Sequence, residues 1–337
     1  MEDKELKRAS AAMLDLLKRA GSDNYQVAWA ATKELAAALT LPLRQGVLNG
    51  DIVSNIYEPT YFEPGQSTEY PLDFLTPGTE GNFSAYTVPG MGRIPERHVE
   101  GDYIMVYTYE VAASIDCALK YIREGRWDIV RRLMQVLEGS FVRKKNTDGW
   151  RTIIAAGKGR NLQVYDDTAG LAAGVFTKRL VELMKNLMRR NANGNSNSVN
   201  RGKMTHLALS PEGMGDIRAW DVDDVDDITR REIFLAEDQG LAKIFGVTLM
   251  DIDELGVDQE FQDYFTDRLS GSFSDSNVEL VVGLDLMNKD AFVHPIKKDI
   301  EIVEDPTFQR SRRFSLYGYG EWGFGCLDSR RVLLGSF

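Results

Sequence analysis

Seven of the ten prolines in this 337-residue chain fall in one stretch, at Pro42, Pro59, Pro64, Pro71, Pro77, Pro89 and Pro95. Gly65, Gly78, Gly81, Gly90, Gly92 and Gly101 are interleaved with them. Proline fixes φ and removes an amide donor, so residues 42–101 are expected to hold no helix and no central strand. The stretch is still rich in rings: Tyr57, Tyr61, Phe62, Tyr70, Phe74, Phe83 and Tyr86. Aromatic side chains need surface to bury against, which a solvated linker does not provide. Long irregular segments inside compact domains are uncommon and are usually functional. Two readings fit: a loop folded over its own domain, or an extended arm lying on a neighbouring subunit. Composition does not separate them.

Regular structure is expected on both sides. Leu6, Met13, Leu14 and Leu17 sit near helical spacing, Gly21-Ser22-Asp23 stops that helix, and Val27, Ala31 and Leu35 mark a second that Pro42 should end. Beyond Asp102, residues Tyr103 to Tyr107 read as a short strand, and Val111, Ile115, Leu119 and Ile122 as a helical face broken near Gly125. Trp127, Val130, Met134, Leu137 and Phe141 predict a rod of about 27 Å. Asp148-Gly149 should turn the chain after it. A helix is expected over 175–190, an exposed loop over Asn191–Asn200, and a helix that Ser210 caps and Pro211 opens, ending by Trp220. Strand signals then cluster late, over Val278–Leu284, Asp299–Val303 and Phe314–Leu334. Early helices and late strands argue for an α+β class.

Charge and composition narrow the function. Lys and Arg total 40 and Asp and Glu 51, a net charge of −11, which speaks against a whole-molecule footprint for nucleic acid. Cys117 and Cys326 stand too far apart in sequence for a disulfide framework or a CxxC metal site, and a reducing compartment is expected. His98, His206 and His294 are equally scattered, so no HExxH pattern exists. The charged start of the chain is not a secretory signal, and no apolar run approaches the roughly 18 residues of a membrane span.

The chemical motifs are weak ones. Gly318-Tyr-Gly320-Glu-Trp-Gly323 matches GxGxxG, yet a dinucleotide site needs a helix after it, and the few residues that follow read as strand. Close sheet packing is the better account of these glycines. Gly157-Lys-Gly159-Arg lacks the phosphate-loop arrangement. The run Asp221, Asp223, Asp224, Asp226 and Asp227 fails calcium-loop spacing, and Asp251-Ile-Asp253-Glu254 is a common triplet. Arg312-Arg313 and Arg330-Arg331 suggest surface ion pairs more than a face for DNA. No catalytic, cofactor-binding or metal-binding residue is therefore assigned. No cofactor and no enzymatic activity are expected.

Several phrases in combination resemble tailed-bacteriophage major capsid proteins. They are Arg97-His-Val-Glu-Gly-Asp-Tyr103, Arg126-Trp-Asp-Ile-Val130, Phe141 to Trp150, Leu209-Ser-Pro-Glu212 with Asp216-Ile-Arg218, Thr229-Arg-Arg-Glu-Ile233, and the ending Gly323 to Phe337. The resemblance runs from about residue 50 to the last residue. It implies the Hong Kong 97 phage fold, with an N-terminal arm over 1–50 and an extended loop over 51–105. A peripheral domain with its spine helix would take 106–160, an axial domain 161–290, and return strands of the peripheral domain 291–337.

It also implies pentamers and hexamers of one chain in an icosahedral head shell around double-stranded DNA, held without sequence-specific binding. Separate scaffold or decoration proteins and a portal would be its partners. Such a protein is built in the host bacterial cytoplasm, resides in the virion, and has no membrane partner. Some relatives join subunits through a Lys–Asn isopeptide bond. No lysine lies between Lys33 and Lys120, so no crosslink of that type is expected from the extended loop. Two alternatives remain at this point: an encapsulin-type compartment of the same fold, and a carboxylate-metal enzyme acting on phosphates through Asp221–Asp227 or Asp251–Glu254.

Overall fold

The computed structural model describes residues 12–22, 24–50, 53–72, 102–124, 126–160, 163–166, 173–191, 202–220, 243–273, 278–287, 291–304 and 313–337. They form two units. One is drawn from within 1–68, 106–149 and 294–324, the other from within 69–105, 150–293 and 325–337.

Helical spacing builds the first unit. Residues 12–20 are helical (α1) and α2 covers Tyr25–Gly50. Leu35, Leu39, Leu43 and Val47 recur every fourth residue of α2 and are all at most 4% exposed. The expected stop at Pro42 does not occur, because the helix runs through it. Pro42 forfeits a hydrogen bond and crowds the preceding turn, at a cost of about 3 kcal/mol. Burying Leu43 and Val47 just beyond it offsets that, at about 1.5–3 kcal/mol each.

The first sheet has the strand order β1-β10-β11-β4, with β1 at Glu58–Tyr61, β4 at Tyr109–Ala118, β10 at Phe292–Glu304 and β11 at Arg313–Trp322. Pro59 sits in β1, an edge strand, where a missing amide does least harm. The helical face expected at Val111 and Ile115 is instead strand β4, paired with β11 from Tyr109↔Trp322 to Ala118↔Arg313. A four-residue spacing is also twice the strand period. Val111, Ala113, Ile115 and Cys117 share the more buried side, and only Leu119–Arg123 is helix (α3). Helix α4 spans Trp127–Gly159, so at 33 residues it is about 50 Å long. Val130, Leu137 and Phe141 bury one face of it with Ile302, Phe314, Leu316 and Trp322. The turn expected at Asp148-Gly149 is absent. A Cβ at Gly149 would lie 2.4 Å from Val53 Cγ1, so this glycine admits the turn Val53–Asn55 against the helix.

In the second unit a six-stranded sheet runs β5-β13-β9-β6-β8-β7. These strands are β5 (Gln163–Tyr165), β6 (His206–Leu209), β7 (Lys243–Ile244), β8 (Val247–Asp251), β9 (Leu280–Leu284) and β13 (Val332–Ser336). Every residue of β9 and β13 is buried, which explains their unbroken apolar run. Helix α5 (Lys178–Asn191) lays Leu180, Met184 and Met188 into the core beside Phe176 and Phe337. Ser210 caps α6 (Pro211–Ala219) by accepting the Gly213 amide at 3.1 Å, and Trp220 closes it, as expected. Helix α7 (Glu260–Asp263) follows, and β12 (Gly325–Cys326) pairs with Phe292 and Val293. Strands β2 (Glu69–Leu72) and β3 (Asp102–Met105) form an antiparallel hairpin. The Asn191–Asn200 loop lies outside the described residues, apart from Asn191 at the end of α5.

Candidate assembly surface

The motifs weighed for catalysis hold structural places. Gly318, Gly320 and Gly323 line β11 and its exit. A Cβ at Gly318 would come within 2.8 Å of Phe141, and one at Gly323 within 2.3 Å of the Tyr107 carbonyl. The glycines let chains and rings approach closely, and only strands and the 3-10 turn Ser329–Arg331 follow them, with no α-helix. Gly157 packs the last turn of α4 against Leu334. Asp251 ends β8 and Asp253 opens a short 3-10 turn. Burial, then the charge of Asp253, raises the Asp251 carboxyl above its ordinary range. Among the described residues no three His, Cys, Asp or Glu side chains gather into a metal site. The Asp221–Asp227 run, His98 and Arg312 lie outside the described residues.

The remaining singled-out residues are accounted for by neighbours. Arg331 is buried against Asp285, so it is no surface cation, and Arg330 meets Asp328 at 2.8 Å. Arg313 pairs with Asp116 at 3.0 Å in the open. Burial pushes the Cys117 thiol to about 11 and the Cys326 thiol to about 12, so both stay protonated at neutral pH. His206 Nδ1 lies 2.9 Å from Thr205 Oγ1.

What the described surface offers is apolar area. The hairpin's second strand exposes Tyr103, Ile104 and Met105, and Tyr107 just beyond it is 79% exposed. At its root the chain closes on itself. Val106 donates its amide to the Thr68 carbonyl at 3.1 Å, and Thr68 Oγ1 donates to the Val106 carbonyl at 2.5 Å. A lone two-stranded hairpin is marginal in water, and an exposed apolar strand calls for a covering partner. Trp29 and Leu41 leave further apolar area on the outer side of α2.

No family model matches the chain, and no curated protein does. Solved structures do. The capsid of cyanophage P-SCSP1u aligns over 83% of this chain and 86% of its own at 12% identity, with a TM-score of 0.54. The capsid asymmetric unit of cyanophage Pam1 aligns over 84% and 88% at 12% identity, also with a TM-score of 0.54. The capsid of an empty GTA particle covers 86% and 90% at 13% identity, with a TM-score of 0.52. The fold is that of a phage capsid subunit. It is the Hong Kong 97-like architecture in its α+β form, as the phrases of the sequence implied. Within that fold the exposed hairpin strand β3 is the short strand expected just beyond Asp102, while its partner β2, which holds Pro71, was hidden by the prolines around it.

Proposed function

We propose that this chain is a major capsid protein, which self-assembles into the icosahedral head shell enclosing a phage genome. The capsid fold supports this, and the hairpin that exposes Tyr103, Ile104 and Met105 carries it, because a second copy is the partner a shell supplies. In this reading residues 1–50 are an arm, 51–105 an extended loop, 106–160 with 291–337 the peripheral domain, and 161–290 the axial domain. The role is structural and not enzymatic. Pentamers and hexamers are its working forms, with separate scaffold or decoration proteins and a portal as partners. Assembly takes place in the bacterial cytoplasm and the product is the virion. No helix among the described residues is long and apolar enough to cross a membrane.

Negative-stain microscopy of the purified protein is the test. Closed shells or capsomer rings are expected, with DNA inside native particles. A small monodisperse oligomer with metal-dependent phosphatase activity would overturn the reading, and DNA-free shells holding a protein cargo would replace it with a compartment.

A further inference from the structure

Five cations gather in the second unit around the last two turns of α5. Lys185 and Arg189 stand one turn apart on one side of the helix, and Arg190 follows them. Lys203 is brought to that end of the helix by Gly202, where a Cβ would lie 2.4 Å from the Met188 carbonyl. Lys243 is brought in by the turn between β7 and β8, because the Lys185 ammonium donates to the Phe245 carbonyl at 2.6 Å. Phe245 and Gly246 hold left-handed backbone there, with φ of 50° and 76°, as a tight two-residue hairpin turn requires. All of the five but Lys185 are exposed. Elsewhere in this unit cations meet acids: Arg151 pairs with Glu260, Arg179 with Asp166, Arg330 with Asp328 and Arg331 with Asp285. Among the described residues none of the five forms an ion pair, and Glu182 is the single acid on α5.

The helix dipole accounts for Arg189 and Arg190, which sit at the negative end of α5. It does not account for Lys203 and Lys243, which other segments supply. A local field of one sign, on a chain whose net charge is −11, is complementary to a polyanion. We propose that this patch is where the subunit touches the phosphates of the enclosed duplex DNA. The duplex carries one negative charge per about 1.7 Å of axis, so five cations meet phosphates in any register and read no base. The acidity of the rest of the chain keeps that hold weak and confines it to one face. This inference rests on the shell reading for the choice of DNA among polyanions, but not for the charge of the patch.

The probe is a fluorescent duplex of about 30 base pairs and arbitrary sequence, its binding to unassembled protein read by anisotropy from about 50 to 200 mM salt. Log affinity should fall against log salt with a slope of about −4. Arg189→Gln with Arg190→Gln should shrink that slope by about 2 and weaken binding roughly tenfold at the lowest salt. Lys203→Gln with Lys243→Gln, away from the helix, should do the same. Arg131→Gln with Arg132→Gln, exposed on α4 in the first unit, should change neither quantity. All three variants should keep the wild-type urea midpoint. No binding at the lowest salt, or an equal loss from the α4 pair, overturns the patch. A loss confined to the Arg189 and Arg190 variant overturns it too, since Lys203 and Lys243 then take no part. Polyglutamate that binds more tightly than the duplex at equal charge would replace DNA with an acidic protein segment. The measurement needs no shell. Shells without duplex binding overturn the patch alone, and duplex binding without shells sinks the proposed function and leaves the patch standing.

Discussion

Arg331 and Asp285 form an ion pair shut away from water, with side-chain exposures of 7% and 0%. Asp285 also accepts the backbone amide of Lys203 at 2.9 Å and that of Met287 at 3.1 Å, and Arg331 reaches Asp328 at 3.6 Å. The pair ties the turn after β9 to the start of β13. Removing one partner strands a buried charge, which costs about 3–5 kcal/mol. Asp285→Ala should therefore lower unfolding stability by that order in urea titrations of unassembled protein. Replacing both with Met and Leu should lose much less. If the single and double variants lose the same amount, the buried-charge account is wrong.

His294 carries a pH dependence of known sign. Burial pushes its imidazole down to about 4, against the opposing pull of the Gly323 carbonyl and with a lesser push from the Lys145 charge. An unfolded histidine titrates near 6.5 and so binds more protons than the folded one between those values. The stabilising contribution is complete above about pH 6.5 and is lost as pH falls towards 4, by something on the order of 3 kcal/mol. Midpoints measured from pH 7 to 4 should drop more steeply for the wild type than for His294→Phe. Parallel curves would remove His294 as the cause.

Gly149 reverses the usual helix rule. In a helix interior, alanine is about 1 kcal/mol better than glycine. Here a Cβ would lie 2.4 Å from one methyl of Val53 and 3.1 Å from the other, and Val53 is fully buried. Gly149→Ala should destabilise by about 1–3 kcal/mol through overpacking. Adding Val53→Ala should recover part of that loss, and a double-mutant cycle showing no coupling would refute the contact.

The hairpin strand should separate folding from assembly. Ile104 is 38% and Met105 46% exposed. Asp at both positions should change unfolding midpoints within about 0.5 kcal/mol, as exposed substitutions do, yet suppress shell formation. Light scattering of assembly reactions reads this directly. Normal shells from the doubly charged variant would place the interface elsewhere.

Much of the fold was legible because long apolar stripes leave few choices. The stripe from Trp127 to Phe141, the core face of α5 and the Ser210-Pro211 start each declared themselves locally. Where local signal and tertiary burial disagreed, burial decided. Pro42 could not stop a helix whose stripe continues into Leu43 and Val47. Val111 and Ile115 keep a spacing that helix and strand share, and only the partner β11 resolves it. Gly149 looked like a turn because the residue it accommodates, Val53, is distant in sequence. A cleft in the first unit lined by Val47, Tyr57, His294 and Trp322 was invisible for the same reason, since no motif connects these residues.

The pairing of β4 with β11 also sets a timetable for synthesis. Ser315 meets Ile115 across 200 residues of intervening chain. At about 5–20 residues per second, β4 waits some tens of seconds on the ribosome before its partner emerges. Until then the apolar faces of α2 and α4 have no sheet to cover. Newborn chains should lean on chaperones during that interval, and a message truncated before Arg313 should yield aggregate and no half-built subunit. The late strands thus act as a completeness check, because a chain that lacks β11 cannot finish the sheet of the first unit.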